Sequence, residues 1–406
     1  MTSQQKILVV DDEPDLQMLI LQRFRKQIQQ EIYEFCFAEN GEEALSMLEN
    51  SNDISLVLSD INMPKMDGLT FLSESQKLKN PALKTIIVSA YGDMENIRTA
   101  MNRGAFDFVT KPIDFRDLEI TIKKGLSEIH TVFEALQQKE ALEAVGRDLE
   151  TAARIQQKIL PQDFPPFPNR NEFSIYAEMH TAKEVGGDFY DFFMLDEDRL
   201  GFVIGDVSGK GIPASIYMAV SRTMLKAIAS QIDDPAMCLK TVNNMLIPES
   251  ELTTFVTMFY GVLNTKTGVI DYSNGGHNLP YIVTQDGKVI QVENTDGLLL
   301  GKIEPIDYQT KHIQMEPGDK ILLYTDGVPE AMNEVRDMYD EERLEKYLEK
   351  HYTYSQEKLL RGIIVDVLKF VNKAHQSDDI TLLVLEYIGE QSSSSQDQEI
   401  EAKASS

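Results

Sequence analysis

Asp11 and Asp12 follow the apolar run "KILVV", Asp60 closes "SLVLSD", Ser89 lies at the end of "KTIIVSA" and Lys111 at the end of "FDFVTKP". If these runs are strands of one parallel sheet, all five side chains stand at its carboxyl edge, where open α/β sheets bind ligands. Carboxylates brought together repel one another, and a divalent cation relieves that repulsion. Mg²⁺ takes oxygen ligands and keeps part of its water shell. A carboxylate flanked by a metal ion, a lysine and a hydroxyl is equipped to receive a phosphoryl group. The carboxylate attacks phosphorus while metal and lysine neutralise the oxygens.

A second set of acids lies in the C-terminal half: Asp188 and Asp191 in "VGGDFYDFF", Asp206 in "VIGDVSGKG", Asp326 in "LLYTDGVPEA", and Asp378 and Asp379 in "QSDDITLLV". The glycines and Lys210 of "VIGDVSGKG" invite a phosphate-binding P-loop. That motif needs Gly, four residues, then Gly-Lys-Ser/Thr. Here Gly211 follows Lys210, and Ile204 stands where the first glycine belongs. The glycines are better read as a tight turn presenting Asp206 and the next carbonyl. Asp206 and Asp326 follow strand-like runs and the 378–379 pair precedes one. Carboxylates gathered at strand ends around two hard cations, Mn²⁺ or Mg²⁺, can hold a hydroxide for in-line attack on a phosphate ester.

The elements that must position these residues fall into two textures. Residues 5–121 alternate apolar strands with amphipathic helical stretches such as "DLQMLILQRFRKQ", which predicts an α/β domain with a five-stranded, doubly wound parallel sheet. From about 118 to 160 the pattern turns helical. Ile122, Leu126, Ile129, Phe133 and Leu136 follow heptad spacing, and Leu142, Val145, Leu149, Ala152, Ile155 and Ile159 resume it after a break near 137–141. Such a seam predicts either a coiled-coil homodimer through residues 122–160 or one long helix lying on its own domains. "LPQDFPPFPNR", with its four prolines, ends it. Beyond residue 171 come strand candidates in hairpin order, with turns at "NTKTG" and "QDG", and helices at 212–230, 235–247, 341–350 and 355–373. That pattern predicts an α+β sandwich. The expected organisation is 1–121, a helical linker 122–162, a second domain 163–390, and a Ser-rich disordered tail 391–406.

With 406 residues, 42% of them hydrophobic, the chain is long enough for two or three cored domains. Its net charge of −27 excludes a general nucleic-acid or anionic-membrane binder. Cys36 and Cys238 sit in an apparent strand and helix and read as core residues. No apolar run reaches spanning length, so a cytoplasmic protein is expected.

The first constellation resembles the receiver domain of bacterial response regulators. The resemblance implies that Asp11 and Asp12 are the acidic pair, Asp60 the phospho-acceptor, Lys111 the lysine, and Ser89 and Phe108 the switch pair. Asn62 would supply a main-chain ligand to Mg²⁺. A histidine kinase acting in trans would phosphorylate Asp60. The second constellation, with "ARIQQKILP" ahead of it, resembles the PP2C-type serine/threonine phosphatases of the sporulation and stress-response branch. This implies Asp188, Asp206, the Val207 carbonyl and Asp326 as ligands of two Mn²⁺ or Mg²⁺ ions. Asp378 is the last ligand, with Asp379 the alternative. The implied substrate is a phosphoprotein, an anti-sigma-factor antagonist. The histidine of the eukaryotic relatives' second motif is missing here, and their phosphate-binding arginine has no evident counterpart. His277 in "SNGGHNLP" is either an acid or a loop cap, and Lys183 or Lys210 can assist with phosphate. Two other functions remain open: a non-catalytic phosphorylation-controlled scaffold, and a diguanylate cyclase, suggested by "GGDFYD".

Overall fold

The computed structural model describes residues 4–51, 53–249 and 254–389; the expected tail 391–406 lies outside them. The chain divides into two compact units, 1–145 and 146–406.

In the first unit β1 (Gln5–Val10), β2 (Tyr33–Ala38), β3 (Ile54–Asp60), β4 (Lys84–Ala90) and β5 (Asp107–Lys111) form a parallel sheet in the order β2-β1-β3-β4-β5. Between them run α1 (Pro14–Arg23), α2 (Arg25–Gln29), α3 (Gly41–Asn50), α4 (Gly68–Ser75) and α5 (Met94–Asn102). Side chains alternate across a strand, and both faces of this sheet are covered, which is why the strands read as unbroken apolar runs. Ile7, Val9, Leu56 and Leu58 pack with Leu16 and Ile20 of α1; Leu8, Val10 and Val57 pack with Ala44 of α3 and Phe71 of α4. The carboxyl ends of β1, β3, β4 and β5 then fall along one edge, carrying Asp11, Asp60, Ser89 and Lys111.

α6 (Phe115–Ile159) is one helix of 45 residues. It starts inside the stretch assigned to the first domain and continues unbroken through 137–141. The gap in the apolar spacing there is a change of face, and Gln, Lys and Glu are good enough helix formers to carry it. Leu118, Ile122 and Ile129 are buried in the core of the first unit, whereas Phe133, Leu136, Leu142, Val145 and Ile155 are exposed.

The second unit holds two antiparallel five-stranded sheets. One has β7 (Phe189–Met194), β8 (Arg199–Val207), β9 (Val256–Asn264), β10 (Val269–Gly275) and β13 (Lys311–Gln314), in the order β13-β10-β9-β8-β7. The other has β6 (Phe173–His180), β11 (Tyr281–Val283), β12 (Val289–Gln291), β14 (Lys320–Tyr324) and β15 (Ile380–Tyr387), in the order β12-β11-β14-β15-β6. Phe202, Ile204 and Phe259 of the first meet Ile175, Leu323 and Leu383 of the second in one core. α7 (Ile212–Ala229) and α8 (Pro235–Leu246) cover the outer face of the first sheet, and α9 (Glu341–His351) and α10 (Gln356–Val371) cover the second through Leu322, Leu382 and Val384. The result is the expected α+β sandwich. The "NTKTG" turn joins β9 to β10, with Gly268 at φ +73° donating to the Asn264 carbonyl.

Candidate functional site

In the first unit, Asp11, Asp12 and Asp60 bring one carboxylate oxygen each within 4.8 Å of one another. Asp11 and Asp60 are buried; Asp12 is exposed. Asp60 Oδ1 accepts the Ile61 amide at 2.7 Å, and Lys111 Nζ donates to Asp60 Oδ2 at 2.9 Å and Asp11 Oδ2 at 3.1 Å. Burial pushes the Asp11 carboxyl up, outweighing the Glu13 amide and Lys111. Lys111 stays above the usual lysine range because its bonds to Asp60 and Asp11 overcome the burial that opposes its charge. Glu13, which sequence reasoning passed over, also reaches Lys111, at 3.3 Å. Ser89 is 1% exposed and its hydroxyl has no partner, an orphaned polar atom at the end of the strand beside Asp60. Phe108 packs partly buried among Ile61, Leu72 and Ile87, and Asn62 is exposed. Three carboxylates around one point, with a bound lysine, fit a hard divalent cation such as Mg²⁺.

In the second unit the acids come from four segments. Asp188 immediately precedes β7 and lies opposite Asp206, one step beyond the last pair of the β7–β8 ladder, Phe189 with Gly205. Asp326 follows β14 by two residues, and Asp378 and Asp379 precede β15. Gly209 and Gly211 take φ of +93° and +80°, the left-handed region that glycine enters without strain, so the chain turns sharply from β8 into α7. A Cβ on Gly187 would sit 2.7 Å from the Val207 carbonyl oxygen, so only glycine lets the two loops meet there.

Burial and mutual repulsion leave this cluster with negative charge to be offset. Burial, then Asp206 and Asp379, push the Asp188 carboxyl well up. Burial and Asp326 push Asp206 up to about 7, and burial and Asp378 push Asp326 up to about 6. Buried like charges of this kind favour protons or cations. The acids repel one another across the cluster: Asp188 feels Asp206 and Asp379, Asp206 feels Asp326, Asp378 and Asp379, and Asp326 feels Asp378. Among the described residues the receiver pocket is where three carboxylates surround a single point. Acids spread over four segments leave room for two ions with divided ligands, and an all-oxygen donor set suits Mn²⁺ or Mg²⁺. The residues present therefore fit the metal pair.

The 378–379 pair separates into two roles. Asp379 is buried and spends both oxygens on backbone, accepting the Ala182 amide on Oδ1 and the Gly187 amide on Oδ2, each at 2.8 Å. Asp378 is partly exposed and meets Lys210 Nζ at 2.8 Å through Oδ2. Lys183 is exposed. His277 is buried, with Nδ1 2.9 Å from Thr257 Oγ1 and Nε2 3.2 Å from the Tyr324 carbonyl. A carbonyl only accepts, so Nε2 carries the proton and Nδ1 receives the Thr257 hydroxyl. Burial holds the ring neutral, its pKa lowered to about 4. Thr257 pairs with Asp206 across the β8–β9 ladder, and Tyr324 lies two residues before Asp326, so the imidazole joins the two sheets beside the acids.

Two supports, Thr325 and Gln156, escaped the sequence reading, and Asp191, which it grouped with the acids, turns to basic residues of α7 instead. Thr325 Oγ1 donates to Asp188 Oδ2 at 2.7 Å. Asp191, 1% exposed, anchors α7 through Arg222 at 2.7 Å and Lys226 at 3.3 Å. Gln156 of α6 bonds Gly186. Arg222 and Lys226 stand four apart on one helix face, a spacing that signals a shared partner; the uncharged Thr and Gln carry no such signal.

Residues 7–123 match the family model of the response regulator receiver domain, and residues 196–388 match that of stage II sporulation protein E, SpoIIE. The chain thus joins a receiver domain to a PP2C-type protein phosphatase domain of the sporulation and stress-response branch. It is 28% identical over 269 residues to the phosphoserine phosphatase RsbU of Bacillus subtilis, covering 66% of this chain and 77% of RsbU. It is 26% identical over 275 residues to protein IcfG of Synechocystis sp., covering 61% of this chain and 43% of IcfG, so it spans less than half of that relative. The solved SiaA-PP2C domain of Pseudomonas aeruginosa aligns at a TM-score of 0.55 and 20% identity, covering 61% of this chain and 98% of that one, a likeness of fold. Among the described residues no helix is long and apolar enough to cross a membrane.

Proposed function

We propose that the second domain hydrolyses phosphoserine or phosphothreonine on a partner protein, under control of phosphorylation at Asp60. The observation that carries the reading is the convergence of Asp188, Asp206, Asp326 and Asp378 from four segments, with three of the four carboxyls raised by burial and mutual repulsion. Two Mn²⁺ or Mg²⁺ ions held by these side chains and the Val207 carbonyl would supply Lewis acidity and an activated water for in-line hydrolysis. The chain's own groups do the rest. Asp379 organises the 182–187 loop, Thr325 orients Asp188, and Lys210, already at Asp378, places a positive charge near an arriving phosphate. His277 is a neutral brace between the sheets, so protonation of the leaving oxygen falls to water.

In the first domain, Lys111 and a Mg²⁺ at Asp11, Asp12, Asp60 and the Asn62 carbonyl favour phosphoryl transfer to Asp60 from a histidine kinase. Phosphorylation would recruit the orphaned Ser89 hydroxyl, draw Phe108 inward and bias α6, a population shift between two states. By likeness to RsbU, a phosphoserine phosphatase, the substrate is a phosphoprotein, and we assign it to the anti-sigma-factor antagonists. The homodimer expected through 122–160 loses its first turns, because Ile122 and Ile129 are spent on the receiver core; the exposed Phe133, Leu136, Leu142 and Val145 support pairing through the middle of α6, light scattering on Leu142→Lys tests it, and an unchanged mass would remove that role. Release of phosphate from a phosphoserine protein, measured with Mn²⁺ and with chelator, tests the enzyme reading.

A further inference from the structure

Between residues 146 and 159 of α6, the one buried side chain is polar: Gln156, 5% exposed, while Ile155 beside it is 58% exposed. Burying an amide in place of an available isoleucine is unfavourable unless its hydrogen bonds are made and serve a purpose. They are made, both to one residue. Gln156 Nε2 donates to the Gly186 carbonyl at 2.7 Å, and Gln156 Oε1 accepts the Gly186 amide at 3.1 Å. The side chain thus pairs with Gly186 as a strand residue would, fixing the peptide planes on either side of it.

The metal-facing loop begins directly after Gly186. Gly187 gives its amide to Asp379 and lies against the Val207 carbonyl, and Asp188 comes next. A Cβ on Gly186 would stand 2.2 Å from Asp379 Oδ2, so the strip held by Gln156 has no room for displacement toward that carboxylate. Past Asp188, the Tyr190 hydroxyl donates to the Pro161 carbonyl at 2.8 Å, just beyond the end of α6, and Leu160 is buried in the sandwich core. The last turn of α6 therefore grips the Asp188 segment on both sides.

We propose that Gln156 is a positioning residue of the metal centre: its paired hydrogen bonds set the Gly186–Gly187 peptide, and through it the aim of Asp188 and the contact with the Val207 carbonyl. The inference rests on the metal-dependent reading of this site. Partners one step behind metal ligands typically govern metal affinity by about 10–100-fold. The test is direct Mn²⁺ binding, followed by the paramagnetic resonance of free Mn²⁺, in full-length protein carrying Asp11→Ala and Asp12→Ala to silence the receiver pocket. Gln156→Met keeps the length and removes both bonds; Gln156→Glu keeps an acceptor and removes the donor.

The expected result is Mn²⁺ binding weakened by about ten-fold or more in Gln156→Met and by an intermediate or larger factor in Gln156→Glu. kcat should recover at saturating Mn²⁺, with faster hydrogen exchange at Gly186 and Gly187 and an unchanged circular dichroism spectrum. Unchanged Mn²⁺ affinity in both variants overturns the proposal, and so does a loss of kcat that no Mn²⁺ concentration restores. If Gln156→Met fails to fold, Gln156→Glu carries the same comparison. Wild-type protein that binds Mn²⁺ without turnover would sink the phosphatase reading while the affinity comparison still decides the role of Gln156. Wild-type protein that binds no Mn²⁺ at the second site overturns both.

Discussion

Gly187 donates its amide to Asp379 Oδ2 at 2.8 Å across 192 positions of sequence, while Asp378, the next residue back, turns its carboxylate to Lys210. Two adjacent acids thus take different partners. One is saturated by backbone amides and ties the 182–187 loop to β15. The other keeps an accessible carboxylate beside Asp326.

The two substitutions should therefore separate. If Asp378 is the ligand proposed above, Asp378→Asn should lower kcat by about a hundredfold or more with little change in thermal unfolding. Asp379→Asn replaces an acceptor oxygen with an amide NH₂ facing a backbone N–H, and should lower stability by about 1–3 kcal/mol. Phosphatase assays and thermal unfolding of each variant check the pair; equal stability losses would contradict the division.

Asp206 should show a conflict between stability and activity. Its carboxylate is half-buried opposite Asp188 and near Asp326. Asp206→Asn removes one like charge, so in chelator at neutral pH the variant should melt higher than wild type, by roughly 2–4 °C for each kcal/mol relieved. With the receiver pocket silenced by Asp11→Ala and Asp12→Ala, Mn²⁺ should raise the melting point of the protein with Asp206 and not of the one with Asn, because only the form that binds is stabilised. Calorimetry with and without metal reads both effects.

His277 predicts an acid sensitivity. Its pKa falls from 6.5 in the unfolded chain to about 4 in the folded one. Between those values the unfolded state binds the proton and the folded state refuses it, so stability is full above pH 6.5 and declines as the pH drops toward 4. At pH 5 the loss is roughly 2 kcal/mol relative to pH 7. His277→Gln should be less stable than wild type at pH 7, with the gap narrowing at pH 5; denaturant titrations at the two pH values measure it.

Ser89 predicts a substitution that costs nothing at rest. Its buried hydroxyl has no partner, so Ser89→Ala leaves no donor or acceptor stranded and should melt at or above the wild-type temperature. The response of phosphatase activity to a phosphodonor should be lost. Retention of the full response would remove Ser89 from the switch.

Much of this was legible because apolar patterning and acid placement coincide. The receiver strands are long runs ending in Asp, Ser or Lys, and β-α alternation makes their sheet parallel. The sandwich strands β8, β9, β14 and β15 are equally plain. Two strands were not. β7 is "FYDFFM", buried on both faces, so it has no period-2 signal and reads as a tail of the Gly-Gly-Asp motif. β13 is four mostly polar residues at a sheet edge, too short to stand out. His277 kept two readings in sequence because a loop histidine looks the same whether it faces solvent or a carbonyl; its burial between Thr257 and Tyr324 depends on two sheets meeting. Gln156 hid on a helix whose seam drew attention to its apolar neighbours.

The measurement that bears most directly on the account is phosphate release from a phosphoserine protein by the full chain, with Mn²⁺ or chelator, each with and without beryllofluoride, in wild type and Asp60→Ala. The account predicts turnover that requires Mn²⁺, shifts with beryllofluoride in wild type, and does not shift in Asp60→Ala. No Mn²⁺-dependent turnover in any condition would contradict the enzyme, and turnover blind to beryllofluoride, or shifted equally in both proteins, would contradict control through Asp60.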